Sequence, residues 1–287
     1  MQLVGLLVLV LLLPAAAPAQ SDREKMVQEL RKLQWQRGPA EGKIANKATI
    51  AVSPGHTFLD GPNTRHFLEI MGNPPRDNHY MIAPENLRWF AVFSFDSTGY
   101  VKDDEKIDAD ALLDTLKTSD GPANEERKRL GMVAIHTDGW HVAPHYSQET
   151  KRLEWGTRLR ADDGSVSVNY SSRLLGRSGV MRAVLVSAPD SLNQDIAEYK
   201  NALKSYQFVG GERYADFKQG DKIAEYGLAA LVVGGAAAAA AKSGILKSLG
   251  KFLWVILAGA AAGIWALFKK LFGRKDAPVP PATTDQK

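Results

Sequence analysis

The chain changes its hydrophobic rhythm several times. Residues 2–19, QLVGLLVLVLLLPAAAPA, carry an unbroken apolar run from Leu6 to Leu13, then Pro14 and a small-residue stretch. Residues 22–37 switch to helical spacing, with Met26, Val27, Leu30 and Leu33 on one stripe that Gly38-Pro39 stops. Short β-rich runs follow: KATIAV and HTFLD, separated by the turn Ser53-Pro54-Gly55. GPNTRHFLEIMGNPP predicts a short helix capped by Asn63 or Thr64, with Phe67, Leu68 and Met71 inward and Gly72-Asn73 at its end. RWFAVFSFD is the clearest strand, placing Trp89, Ala91, Phe93 and Phe95 on one face. DADALLDTLKTSD is helical, and GPANEERKRLG continues it as helix or loop.

From Val133 to Ala188 the period stays near two. VAIHTDG leads to a turn, and WHVAPHY is a strand whose Pro144 confines it to an edge or a bulge. KRLEWGTRLRA alternates Leu153, Trp155, Thr157 and Leu159. Asp162-Asp163-Gly164 then signals a hairpin turn. SVSVNYSSRLLGR returns, Ser178-Gly179 turns again, and VMRAVLVSA comes back. Segments 151–161, 165–177 and 179–188 should therefore neighbour one another in an antiparallel meander. After Pro189, Leu192, Ile196, Tyr199 and Leu203 mark a helix that lies across the apolar face of the sheet. The expected fold is α+β: antiparallel meander sheet or sheets with packed helices, sandwich-like, followed by a C-terminal transmembrane helix or helical hairpin.

The two ends read differently from the middle. Ala17-Pro18-Ala19 fits the small-x-small rule of a signal peptidase site, and the apolar run before it is shorter than the ~20 residues of a span. Residues 1–19 are thus expected to be a cleaved signal peptide, although the n-region lacks Lys and Arg; an uncleaved anchor is the alternative. Phe252 to Phe268 carries no charge, has Trp254 and Trp265 near its ends, and is followed by Lys269, Lys270, Arg274 and Lys275. Length, flanks and aromatic placement predict a transmembrane helix over 252–268. Residues 227–241 are uncharged but short and rich in Ala and Gly. They are either a second short span or a small-residue helix packed on the first. The expected organisation is an extracytoplasmic domain over 20–226, a membrane region over 227–272 and a basic, Pro-rich disordered tail over 273–287.

Charge follows the same division. Residues 227–287 hold eight basic and two acidic side chains, net +6, against +4 for the whole chain, so residues 1–226 come to −2. The basic character belongs to the membrane end, where it reads as a topology signal and a lipid-headgroup contact. The domain itself carries no global basic bias, which argues against nucleic acid as a partner. The chain has no cysteine, which removes disulfides, thiolate nucleophiles and cysteine-based zinc sites.

Candidate chemistry concentrates between Gly139 and Val180. His136, His141 and His145 are close in sequence, with Glu149 and Glu154 after them. On a strand, however, residues four apart stand some ~13 Å from each other, too far for one ion. Solvent-facing histidines and no metal are expected. Ser53-Pro54-Gly55-His56 is not a nucleophile elbow. Ser171, Ser172 and Ser178 stand near Arg173 and Arg177 without a local histidine and carboxylate. Trp140, Tyr146, Trp155 and Tyr170 recur along adjacent strands and are read as cross-strand packing. Arg173 and Arg177, four apart on one strand, either pair with Glu154 or an Asp, or bind an anionic ligand.

These residues also resemble a known family. Gly139-Trp140, Pro144-x-Tyr146, Leu153-x-Trp155, Asn169-Tyr170 and Arg173-x-Leu175-Gly176-Arg177-x-Gly179-Val180 are similar to the central pattern of DUF2167, a family of membrane-anchored bacterial proteins of unknown function. Gly38-Pro39, ATIAVSPGHTFLD, Gly72-Asn73 and GERYADFKQGDKIAEYGLAALVVGG extend the likeness over about residues 33–268. The resemblance implies an exported domain with a C-terminal anchor. It implies no catalytic residue and no cofactor. The sheet-plus-helix pattern is also similar, as a fold, to PsbP-type α/β sandwiches. The functional expectation is a non-enzymatic envelope protein of the bacterial inner membrane, its domain facing the periplasm or cell exterior. Its partners would be membrane lipid and an envelope protein or a second copy. The rival expectation is an envelope hydrolase with a site assembled from distant residues.

Overall fold

A computed structural model describes residues 25–233, apart from Met26, 72–75, 130–132 and Asp163. The expected signal peptide, the 252–268 span, the tail and Gly72-Asn73 lie outside the described residues. An eight-stranded sheet forms the frame. Its strands are β1 (Gln36–Arg37), β4 (His56–Leu59), β5 (His79–Pro84), β6 (Trp89–Asp96), β10 (Val180–Ser187), β9 (Val166–Leu175), β8 (Arg152–Ala161) and β7 (Ile135–Ser147), in that spatial order. Every pairing in it is antiparallel. A second sheet sets β3 (Ala48–Val52) between β11 (Gln207–Phe208) and β2 (Ala40–Ile44). The domain is α+β with a large antiparallel sheet, as the sequence predicts.

The meander is built as expected. β8 pairs with β9 from Arg152↔Leu174 to Arg160↔Val166, and β9 with β10 from Leu175↔Val180 to Tyr170↔Leu185. At the first hairpin the amide of Ala161 donates to Ser165 and that of Gly164 to Ala161, both at 2.9 Å. Gly164 sits at φ +85°, the left-handed region that a glycine reaches without a Cβ clash. Asp163 of that turn lies outside the described residues.

Alternation along these strands makes two faces. On the first, Trp89, Ala91, Phe93, Tyr170, Leu174, Met181, Ala183 and Leu185 pack against Ile44, Ile50 and Val52 of the small sheet. Helix α4 (Leu192–Leu203) lies on the same face, inserting Leu192, Ile196, Tyr199 and Leu203, each 9% exposed or less. Each such side chain contributes roughly 1.5–3 kcal/mol of burial. The second face carries two separate covers. At the β4–β6 end, Leu59, Met81 and Ala83 meet Leu33, Phe67 and Leu68, the last two on helix α2 (Gly61–Ile70). At the β8–β10 end, Leu153, Trp155, Leu175 and Val180 meet Leu112 of helix α3 (Ala109–Arg129) and Leu228, Leu231 and Val232 of helix α5 (Leu228–Val233). Among the described residues no helix is long and apolar enough to cross a membrane.

Four local expectations need correction. The first helix, α1 (27–32), ends well before Arg37. The Trp35 indole donates to Leu30 O at 2.7 Å, and Gln36 and Arg37 pair with Phe58 and Thr57. Strand pairing with β4 thus overrides the helical stripe. Helix α2 is capped by Asp60, whose carboxylate accepts from the Asn63 amide at 3.0 Å. Thr64 instead is fully buried and donates its hydroxyl to Leu59 O, and Met71 is 44% exposed. No turn interrupts 135–147. β7 runs through Asp138-Gly139 with register shifts between Thr137 and Gly139, Trp140 and Val142, and Val142 and His145. Pro144 falls in the last of these, on an edge strand. Finally, β9 ends at Leu175, so Arg177 is in the turn and not on the strand with Arg173.

The start of the free edge of β7 is covered by side chains of α3. Asn124 donates to Ile135 O and accepts from Ile135 N, both at 2.9 Å, and Asp120 accepts from the Thr137 amide at 2.6 Å. The Trp140 indole donates to Ala109 O at 3.0 Å. These bonds block further strand pairing at the Ile135–Thr137 end of the edge. Packing is close where β6 meets β10. A Cβ on Gly179 would stand 2.1 Å from Asp96 O, whereas one on Gly139 would meet nothing within 4 Å. Gly179→Ala is therefore expected to lower stability by ~1–3 kcal/mol, as overpacking does. Gly139→Ala should change it by less than ~0.5 kcal/mol. Urea denaturation of the two variants checks this.

Candidate functional site

The central motif splits across the two faces of the sheet. On the first face, Glu154 and Ser172 are opposite one another on β8 and β9, 6% and 0% exposed. The Ser172 hydroxyl donates to Glu154 Oε1 at 3.1 Å, and the Tyr199 hydroxyl of α4 donates to Ser172 Oγ at 3.0 Å. His145 Nε2 and Lys200 Nζ each stand 3.6 Å from Glu154 Oε2, and Arg152 Nη1 is 3.9 Å from Oε1. Tyr170 completes the group beneath Lys200, whose Nζ is 5.7 Å from the ring centroid. Burial pushes the Tyr170 and Tyr199 hydroxyls upward, so both remain protonated at neutral pH. In a nucleophilic triad the histidine stands between hydroxyl and carboxylate. Here the carboxylate stands between Ser172 and His145, and Ser172 has no exposed surface. The arrangement pins α4 to the sheet; it does not prepare a nucleophile.

A second polar cluster holds the far side. Asp103 accepts from Lys151 at 2.7 Å, Tyr146 at 2.8 Å and Tyr214 at 3.0 Å. Burial acts to raise the Asp103 carboxyl, but these three donors together hold it below the ordinary range. Arg177 makes a two-pronged pair with Asp221, both contacts 2.7 Å, and that bond together with the Lys218 amide pulls Asp221 down to about 2. The neighbouring Gly176 bridges to Arg213 through the backbone. Lys47 donates to Glu212 at 2.5 Å, and Ser178 also donates to Glu212. Tyr146, Gly176 and Arg177 thus tie segment 209–221 to the sheet.

The histidines do not converge. His136 contacts Asp162 at 2.8 Å, His141 contacts Asn193 at 3.0 Å, and His145 faces Glu154. All three histidines and Glu149 are exposed. Among the described residues there is no group of three or more His, Asp or Glu side chains placed to hold a metal ion. A separate cavity of about 330 Å³ lies between α4 and the β3–β4 connection, lined by Ser53, His56, Gln194, Glu198 and Asn201 among others. The His56 amide donates to Ser53 O at 3.0 Å. Glu198 is already bonded to Arg88 at 2.6 Å and to the Trp89 indole at 3.0 Å.

Arg173 behaves unlike the rest. It is 7% exposed, lies 4.7 Å above the Trp155 ring, and donates to Ser172 O at 3.1 Å. The expected pairing with Glu154 does not form, because Glu154 is on the opposite face. Its register partner is Arg182 of β10, which is exposed, and beyond Arg182 comes Ser94 of β6. Among the described residues neither guanidinium has a carboxylate in ion-pair contact. Burial first, and then the charge of Arg182, pull Arg173 down to about 10; Asp96 and the Tyr226 hydroxyl act the other way. Arg182 was not singled out by sequence reasoning. In VMRAVLVSA it is an ordinary outward position, and only the register sets it against Arg173.

These features define an α+β domain whose large antiparallel sheet is covered by a small sheet and by helices, with its central motif engaged in internal bonds. The profile of the family of proteins of unknown function DUF2167 matches residues 36–265, and the chain belongs to that family. Among solved structures it is similar to the cyanobacterial PsbP (CyanoP) of Synechocystis sp. PCC 6803, at 10% identity and a TM-score of 0.34, covering 61% of this chain and 92% of that one. No curated protein matches the chain significantly.

Two outcomes follow from the site. Trp155 is 4% exposed and supports Arg173, so Trp155→Ala should cost ~3–5 kcal/mol in chemical denaturation. His145→Ala, half exposed, should cost less than ~1 kcal/mol. Asp221 should titrate near 2 in carboxyl-resolved NMR of the folded protein. Since its folded value is depressed, the Arg177 tie stabilises the fold above the unfolded value of ~3.9 and is lost as pH falls through about 2. Arg177→Gln should return Asp221 towards the ordinary value.

Proposed function

We propose that the protein is a bacterial envelope module: anchored in the inner membrane by residues 252–268, with its α+β domain on the periplasmic side, binding a partner and not turning over a substrate. The distribution of polar groups carries the binding half. Glu154 and Ser172 of the central motif, side chains with catalytic potential, are enclosed on the core face and bonded to one another and to Tyr199 of α4. On the other face Arg173 lies buried beside the exposed Arg182, a set of donors without a nucleophile–base pair. The uncharged 252–268 stretch and its basic flank support the anchoring half. Packing favours one span over a hairpin. Leu228, Ala230, Leu231 and Val232 are 1–7% exposed within the domain core. Only residues 234–241 of the short apolar segment remain, and at ~1.5 Å per residue they reach less than half of a ~30 Å bilayer core.

With one span and a cleaved leader, the tail lies in the cytoplasm. A reporter active only in the periplasm, fused after Lys287, is expected to be silent there and active when fused after Ser205. Activity at Lys287 would reject the single span. For the binding half, a photo-reactive residue at Val186, exposed on the face of Arg182, should form adducts in intact cells. The same residue at Glu41, exposed on the small sheet, should not; equal labelling at both would count against a partner on this face.

A further inference from the structure

On the second face, the helical covers leave a strip of sheet open between them. Parity places Ser94 and Asp96 of β6, Arg182, Val184 and Val186 of β10, and Asn169, Ser171 and Arg173 of β9 on this side. Arg182, Val186 and Asn169 are exposed, Ser94 and Val184 are half-buried, and Ser171 and Arg173 are buried. Two guanidiniums face each other directly across a strand pair, where like charges destabilise and the Cα atoms are ~4.5–5.5 Å apart. One of them is more than nine-tenths buried. A buried cation without a carboxylate is costly to keep, because its charge is neither hydrated nor paired. Asp96 is one diagonal step from Arg182, at a register position ~7–8 Å away, and Tyr226 also stands near; with one carboxylate against two arginines the strip remains positive.

We propose that Arg173 and Arg182 form a binding site for a phosphate group carrying at least one ionised oxygen. The indole of Trp155 holds the Arg173 plane from one side, which fixes the fork before any ligand arrives. Arg182 is exposed and free to swing onto the same anion from the neighbouring strand. Two forks approaching from adjacent strands suit a tetrahedral group with oxygens on several sides. A carboxylate, with two coplanar oxygens, is satisfied by a single fork. The hydroxyls of Ser94 and Ser171, on the same face, supply neutral donors. This phosphate is either free or the headgroup of an anionic lipid. The site rests on the sheet geometry alone, and only the lipid source depends on the membrane-anchored reading.

The test uses the full chain in a non-ionic detergent at constant ionic strength set with chloride. Inorganic phosphate and water-soluble dihexanoyl phosphatidylglycerol are titrated separately, followed by calorimetry and thermal melting. Saturable binding with a rise in melting temperature is expected for at least one. In Arg182→Ala it should weaken by about tenfold or more, the worth of one charge-assisted bond. Arg182→Lys should recover part of it. Binding of inorganic phosphate identifies a free-phosphate site; binding of the lipid alone identifies a headgroup site. Without either ligand, Arg182→Ala should melt at or above the wild type, because a facing like charge has been removed. Absence of saturable binding by both ligands, unchanged binding in Arg182→Ala, or a lower ligand-free melting temperature for Arg182→Ala would each overturn the proposal. None of these readouts moves with the reporter result at Lys287, so the site and the topology fail separately.

Discussion

The pairing of β10 with β6 is the constraint on which the other features rest. Eight residue pairs, from Val180↔Asp96 to Ser187↔Trp89, join the β4–β5–β6 meander to the β7–β8–β9–β10 meander. The two halves are far apart in sequence, with α3 and β7 to β9 between them. Register is set by packing, since a slip of one residue would move Met181, Ala183 and Leu185 out of the core that holds Trp89, Ala91 and Phe93. Gly179 allows the closest approach at one end of this ladder. Once the ladder is fixed, the second face must accept two covers with a seam between them, and Arg182 is at that seam.

Buried charge is used here as a fastener. Asp195 is fully buried on α4 and accepts from Ser187 and Ser191 at 2.5 and 2.6 Å, with Arg88 Nη1 2.5 Å away. Glu154 does the same work further along the helix through Ser172 and Tyr199. Such groups add little net stability over apolar residues of the same volume, but removing one partner is expensive because the other is left buried and unpaired. They therefore select one position of α4 on the sheet. This explains why a motif rich in Glu, Ser, Tyr and Arg can look catalytic in sequence while acting to fix geometry. It also separates Arg173 from its neighbours: Arg88 and Arg177 have carboxylates, and Arg173 has an indole and a main-chain oxygen.

Much of the fold was legible because it is encoded locally. The alternation of Leu153, Trp155 and Thr157, the Asp-Asp-Gly turn and the Leu192–Ile196–Tyr199–Leu203 stripe each specify their element within a dozen residues. What escaped is encoded at long range. Gln36 and Arg37 close a segment that reads as helix from the Met26–Val27–Leu30–Leu33 stripe, and only β4, about twenty residues on, turns them into strand. The small β2–β3–β11 sheet needs Gln207 and Phe208, far along the chain, to complete it. The candidate site was half legible: Arg173 was named and an anionic ligand was one of its two readings. Its sequence partner was taken as Arg177 because four residues on a strand share a face. The strand stops two residues short of Arg177, and the true neighbour comes from the next strand.

A facing arginine pair is a local inconsistency in the sheet. β-Strand pattern, turn chemistry and caps support one structure, and Glu154, Ser172 and Tyr199 on the core face are bonded to one another. Replacing Arg182 by Thr or Gln would satisfy the same outward position on β10 without repulsion. Arg173 could likewise be an apolar residue on Trp155, since it is buried and adjoins Leu153 and Leu175. The pair offers stability nothing that a neutral pair would not offer more cheaply. What it does supply is a preset, largely desolvated fork beside an exposed one. In a low-dielectric setting an arriving anion gains more from such a pair than from the same arginines in water, and it removes the repulsion as it binds. The cost in the free protein and the gain in the complex are one electrostatic quantity seen before and after binding. The arginine pair, and not the exposed histidines or the enclosed serines of the motif, is therefore the part of this domain that combines a held cation with an exposed one.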